Sequence, residues 1–173
     1  MSDNIRVGLI GYGYASKTFH APLIAGTPGM ALAAVSSSDA AKVHADWPSV
    51  PVVSEPKHLF NDPNIDLIVI PTPNDTHFPL AKAALEAGKH VVVDKPFTVT
   101  LSQARELDAL AKSLGRLLSV FHNRRWDSDF LTVKRLLGEG SLGEILFFES
   151  HFDRFRPQVR NRWREQAGPG SGI

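Results

Sequence analysis

The sequence predicts an α/β protein built on a doubly wound parallel sheet, followed by the start of a second, α+β domain. Three observations predict it. Short apolar runs alternate with helix-like segments at crossover spacing, a glycine-rich turn joins the first run to a helix, and Asp66-Leu67-Ile68-Val69-Ile70 carries the unbroken apolar character of a strand covered on both faces.

The elements follow in order. Ile5 to Ile10 is the first strand, and the turn after it opens a helix from about Ser16 to Ala25. Met30 to Val35 is the second strand; it ends in Ser36, Ser37 and Ser38, and Asp39 is placed to cap a helix through Ala40, Ala41 and Lys42. A Pro-rich connection and a helical piece near Glu55 to Asn61 precede the Asp66 to Ile70 strand. Pro71 to Thr76 is a loop, with Thr76 placed to cap a helix that buries Leu80, Ala83, Ala84 and Ala87 and stops at Gly88. His90 to Val93 is the next strand and runs into Asp94-Lys95-Pro96. Thr100 and Gln103 form a capping box for a helix closed by Gly115, and Leu117 to Phe121 completes the strand series. After Phe121 the pattern changes: one helix carries Phe130, Val133, Leu136 and Leu137, then Glu144 to Phe152 reads as a long mixed strand. The domains expected are therefore 1–122 and 123–173, the second an incomplete start.

Composition narrows the function classes. The 173 residues carry 19 Lys+Arg against 18 Asp+Glu, a formal net charge of +1 that calls for neither nucleic acid nor an anionic membrane. The absence of Cys removes disulfides, Cys-based zinc sites and thiol nucleophiles, and no run has signal-peptide or transmembrane character, so the expected location is the cytoplasm.

The glycine turn is Gly11-Tyr12-Gly13-Tyr14-Ala15-Ser16, a strand-turn-helix setting suited to a dinucleotide pyrophosphate. Gly11 permits the tight turn, Gly13 the close approach of backbone, and the helix N-terminus offers N–H groups; Ser16 stands where Gly or Ala is usual. The same residues also match a phosphate loop for a nucleoside triphosphate, Gly11 followed by four residues and Ser16-Lys17-Thr18, but with its second glycine lost and no clear magnesium-binding Asp at a strand end. Cofactor choice rests on the end of the second strand. Ser37, Ser38 and Lys42 suit a ribose 2′-phosphate, which favours NADP(H) over NAD(H), with Asp39 reserved for the helix cap.

Gly11 to Leu23, Thr72-Pro73-Asn74-Asp75-Thr76-His77, Gly88 to Pro96 and His122 to Asp127 together resemble the Gfo/Idh/MocA oxidoreductases, and most nearly their NADP-dependent scyllo-inositol dehydrogenase subgroup. The resemblance covers the whole chain. It implies a Rossmann NAD(P)-binding domain and hydride transfer between nicotinamide and a sugar or polyol. It also implies that Lys95, in an Asp94-Lys95-Pro96 version of the family's Glu-Lys-Pro motif, contacts substrate oxygen, with Asp94 one methylene shorter than the usual Glu. Thr72, Pro73, Asn74 and His77 would line the nicotinamide side, His77 being equally readable as an exposed first-turn residue. Asn123 would touch cofactor, and Trp163-Arg164 would return to it from the second domain. The Arg-rich stretch from Arg154 to Arg164 has a second reading, a nucleic-acid patch, which the near-neutral charge disfavours. The family's proton-transferring Asp and His pair has no counterpart here: His20, His44, His58, His90 and His122 are all unsuited by position. The expectation is a cofactor domain with the first part of a substrate domain, inactive alone and homo-oligomeric through the C-terminal sheet in the full-length protein. The alternative is a non-catalytic dinucleotide-binding or interaction module.

Overall fold

The computed structural model describes residues 4–153 together with 155, 157, 158, 167 and 168. The chain divides into two compact units, Met1–Phe121 and His122–Ile173.

In the first unit, β1 (Ile5–Ile10) leads through the glycine turn into a π-helical turn, Ser16–His20, and α1 (Ala21–Gly26). There follow β2 (Met30–Ser36), α2 (Ala40–His44), β3 (Val52–Val53), α3 (Pro56–Phe60) and β4 (Leu67–Ile70). A 3-10 turn, Asn74–Thr76, opens α4 (His77–Glu86), and β5 (His90–Asp94), α5 (Leu101–Ser113) and β6 (Leu118–Phe121) complete the unit. Every ladder is parallel and the strand order is β3-β2-β1-β4-β5-β6. This is the doubly wound order, whose direction of growth reverses between β1 and β4, so that the crevice beyond their C-terminal ends is where such sheets take ligands.

The period-two alternation of the strands divides the core between the two faces of the sheet. Ile10, Ala34, Ile68, Ile70, Val91 and Val93 pack with α3, α4 and α5, whereas Val7, Leu9, Val35 and Val69 pack with Ala21, Ile24 and Val43 of α1 and α2. Asp39 Oδ1 accepts the Lys42 N–H at 3.0 Å, and Thr100 and Gln103 exchange both capping-box bonds, as the sequence predicts. Thr76 differs: its hydroxyl is donated back to the Pro73 carbonyl at 2.6 Å, so α4 starts without a side-chain cap. β3 lies inside the stretch read as a Pro-rich connection, where Val52 and Val53 pair with Val35 and Ser36.

The second unit begins with a 3-10 turn, Asn123–Trp126, and α6 (Ser128–Gly138). The expected strand at Glu144 to Phe152 does not form; these residues are exposed and carry no regular structure. A strand needs a partner for its N–H and C=O groups, and among the described residues none pairs with it. Arg154, Arg156, Arg160, Arg162, Trp163 and Arg164 lie outside the described residues.

Candidate functional site

The predicted residues of the first unit lie at or just beyond the C-terminal ends of β1, β2, β4 and β5. Gly11 leaves β1 with φ +78°, a left-handed conformation that glycine alone adopts without strain, and a Cβ there would stand 3.6 Å from Thr72 Cγ2. The end of β1 and the loop after β4 thus meet at Gly11 and Thr72. Nothing lies within 4 Å of where a Cβ on Gly13 would be, so the loop presents bare backbone to open space. Tyr14 is exposed and Ala15 half-buried. This is the shape a dinucleotide pyrophosphate requires, and the residues present fit one.

Two side chains of the turn are committed to the protein. Ser16 is buried and donates its hydroxyl to the Gly11 carbonyl at 2.9 Å, so it braces the turn where the sequence also allowed it to reach a phosphate. Tyr12 points into the core and donates its hydroxyl to Asp46 Oδ2 at 2.9 Å. Burial pushes the Tyr12 phenol up, and the Asp46 carboxylate beside it pushes the same way. Asp46 also pairs with Lys17 at 2.8 Å; the Lys17 ammonium first, then the Tyr12 hydroxyl, hold its carboxyl below the usual range. Lys17 is the cation a triphosphate-binding loop would aim at phosphate, and here it faces a carboxylate instead.

At the end of β2, Ser37 is half-buried while Ser38 and Lys42 are exposed. Ser37 Oγ exchanges hydrogen bonds with the Asp39 backbone at 3.1 and 3.2 Å, and the Asp39 carboxylate accepts from α2. One oxygen of the exposed Asp39 carboxylate therefore serves as the cap of α2.

After β4, Thr76 gives its hydroxyl proton to Pro73, so the 2.6 Å contact between the two threonine hydroxyls is donated by Thr72, which keeps lone pairs to offer a ligand. Pro73 is exposed and Asn74 is buried at the start of the 3-10 turn. His77 is not an exposed first-turn residue: it is 1% exposed, with Nδ1 2.8 Å from the Pro96 carbonyl oxygen and Nε2 2.8 Å from that of Thr72. It ties the loop after β4 to the turn after β5, and its ring nitrogens face backbone.

Asp94 ends β5, and its Oδ1 accepts the Lys95 N–H at 2.7 Å. Burial pushes its carboxyl up, but the His20 ring, the Lys95 N–H and the charges of both residues outweigh this and leave it below the usual carboxylate range. Lys95 is exposed, and among the described residues its ammonium forms no ion pair. A cation at the C-terminal end of a parallel strand stands at the mouth of the crevice. Sequence reasoning set His20 aside by position as a proton-transfer group; the fold brings it beneath this strand end, a pairing for which a spacing of 74 residues from Asp94 gives no local signal. Asn123 is half-buried at the head of its 3-10 turn in the second unit, and Trp163 and Arg164 are outside the described residues.

Among the described residues no helix is long and apolar enough to cross a membrane. Residues 5–122 match the family model of the Gfo/Idh/MocA oxidoreductases with an NAD-binding Rossmann fold, and residues 130–173 match a Gfo/Idh/MocA C-terminal domain. The chain is 89% identical over 173 residues to YdgJ of Escherichia coli K12, an uncharacterized oxidoreductase, covering all of this chain and 50% of the relative. It is 42% identical over 171 residues to the NADP(+) scyllo-inositol 2-dehydrogenase IolW of Bacillus subtilis, covering 99% of this chain and 48% of that protein. The solved structure of YPO2259 from Yersinia pestis superposes with a TM-score of 0.93 at 76% identity, over 99% of this chain and 48% of its own. The chain thus spans about half the length of the curated relatives it matches. With the sheet order, the glycine turn and these matches in agreement, the chain belongs to the Gfo/Idh/MocA family of oxidoreductases and carries its NAD-binding Rossmann fold.

Proposed function

We propose that this chain is the cofactor-binding part of an NADP(H)-dependent dehydrogenase acting on a sugar or polyol, with residues 1–122 as the dinucleotide domain and 123–173 as the beginning of the substrate domain. The observation that supports the cofactor choice is the end of β2, where Asp39 Oδ1 caps α2, Ser37 Oγ is bonded to the Asp39 backbone, and the exposed Ser38 and Lys42 stand where they can receive a phosphate. The NADP(+) named for the IolW relative supports the same choice. NAD(H) is the weaker candidate.

In this reading the backbone of Gly11 to Ser16 holds the pyrophosphate, and Thr72, Pro73 and Asn74 line the nicotinamide side. The bound nicotinamide supplies the chemistry of accepting or donating hydride. Lys95 stabilises the negative charge that develops on the substrate oxygen as its proton leaves. His20 and His77 are 4% and 1% exposed, so neither presents a proton to a polyol, and the group that takes the hydroxyl proton is not one of these two. In this reading residues 1–173 supply the cofactor site, and the proton acceptor is a group other than these two histidines.

Titration with NADPH and NADH, in wild type and Ser37→Asp, tests the assignment. A carboxylate at the β2 end repels a 2′-phosphate and accepts a 2′-hydroxyl, so the preference should shift toward NADH. An unchanged NADPH preference refutes the pocket. Polyol-dependent NADP reduction by the 173-residue chain, at the rate of a complete enzyme, refutes the division of labour.

A further inference from the structure

His20 is buried without a use in the site described above. It is 4% exposed, and its ring lies on Phe121 at the end of β6, with centroids 4.3 Å apart and planes at 46°. Its Nε2 has no hydrogen-bond partner among the described residues and stands 3.7 Å from Asp94 Oδ2. That gap is too long for a direct hydrogen bond and too short for a bridging water, which needs two bonds of about 2.8 Å each. A buried polar nitrogen costs stability unless something compensates it, and the Asp94 carboxylate is the charged group the structure sets before it.

The other Asp94 oxygen accepts the backbone N–H of Lys95 at 2.7 Å. A line of contact therefore runs from the imidazole through the carboxylate to the backbone that carries the exposed ammonium. The titratable groups that face Asp94 are His20, from the π-helical turn, and Lys95, its neighbour in the chain. Phe121 fixes the plane of the imidazole, so the direction of Nε2 is set by packing on β6.

We propose that His20 is a positioning residue for Lys95, acting through Asp94: its buried edge holds the carboxylate at the end of β5, and the carboxylate holds the Lys95 backbone. The role given to Lys95 rests on the function proposed above, whereas the contact between His20 and Asp94 does not. The short side chain of Asp94 suits this arrangement, because a carboxylate one bond from Cβ stays close enough to the main chain to take the next residue's N–H while still facing His20.

The test follows the Asp94 carboxyl by carbon NMR through acid titration in the full 173-residue chain, for wild type, His20→Phe and His20→Gln. The Lys95 amide signal and NADPH affinity at neutral pH are measured alongside. His20→Phe keeps the packing on Phe121 and removes the polar edge, so the Asp94 carboxyl should titrate higher than in wild type, the Lys95 amide should shift, and NADPH should bind several-fold more weakly. His20→Gln keeps an N–H donor at similar reach and should restore all three in large part. An Asp94 titration and a Lys95 amide that are the same in His20→Phe as in wild type overturn the proposal. Should His20→Phe fail to fold, Asp94→Asn reads the contact from the other side: His20 ring-nitrogen signals that do not respond to it overturn the proposal equally. Wild-type protein that binds no NADPH refutes the cofactor reading, while the carboxyl titration still judges the contact between His20 and Asp94.

Discussion

Replacing His77 by Leu removes a brace between the two loops that flank the crevice. Both ring nitrogens of His77 lie 2.8 Å from backbone carbonyl oxygens, of Pro96 and of Thr72, in a position 1% exposed. Leucine fills most of the ring's space, so the loss is chiefly polar. A neutral imidazole donates through one ring nitrogen only, so the substitution leaves one of these carbonyls without its donor; a buried acceptor so orphaned costs about 1–3 kcal/mol, and because Thr72 and Pro96 are only half-buried the lower part of that range applies, about 1–2 kcal/mol. For a chain of this size, each kcal/mol lowers Tm by roughly 2–4 °C. Urea unfolding at unchanged m-value should show the loss, and NADPH affinity should fall because the Thr72 loop is no longer held to the Lys95 turn. His77→Asn places an amide near the Nδ1 position and His77→Gln near Nε2, so the variant whose amide reaches the carbonyl that His77 donates to should recover part of the stability. A cost below about 0.5 kcal/mol for His77→Leu would refute the reasoning, since an orphaned buried carbonyl cannot be that cheap unless water already reaches it.

Other consequences are open to measurement. Lys89 is 7% exposed and donates its ammonium to the Asp62 and Ile65 carbonyls at 2.6 and 2.8 Å; Lys89→Met keeps the stem, loses both bonds, and should cost about 2–4 kcal/mol in urea unfolding. Thr100→Ala removes the hydroxyl that accepts the Gln103 N–H, and a thermal melt should show a loss of about 1 kcal/mol. The contacts of Asp46 with Lys17 and Tyr12 hold its folded carboxyl below the unfolded value of about 3.9, so their stabilisation is present above that pH and is lost as pH falls through the folded value. Melts of wild type and Asp46→Asn should therefore differ at neutral pH and converge in acid; a gap that persists in acid would contradict the assignment.

The sheet was legible because each of its longer strands is an apolar run set off by a helix signal. Asp39 and the Thr100-Gln103 pair acted as their residue types predict, since each side chain's best available partner is the N–H three residues on. Thr76 failed the same rule because the Pro73 carbonyl lies within reach of its hydroxyl and competes for it. β3 escaped notice because two residues carry no periodicity; its pairing is imposed by β2. The strand expected at Glu144 to Phe152 shows the converse, a long mixed segment that has no described neighbour to complete its hydrogen bonds.

Within the site, motif and function separate along burial. A sequence motif records which residue types a position requires, not whether the side chain faces the ligand or the protein. Tyr12, Ser16 and His77 belong to the motif, yet their polar atoms bond to Asp46, to Gly11 and to the Thr72 and Pro96 backbone. Gly13, Tyr14, Ser38, Lys42 and Lys95 are exposed. The first set fixes where the loops stand, and the second forms the surface they present. A substitution in the first set should change stability and cofactor affinity together, because the loop it holds loses its place. A substitution in the second should change affinity with little change in stability. His20 joins the first set on these terms: its polar edge is buried, and the group it faces belongs to the residue next to Lys95.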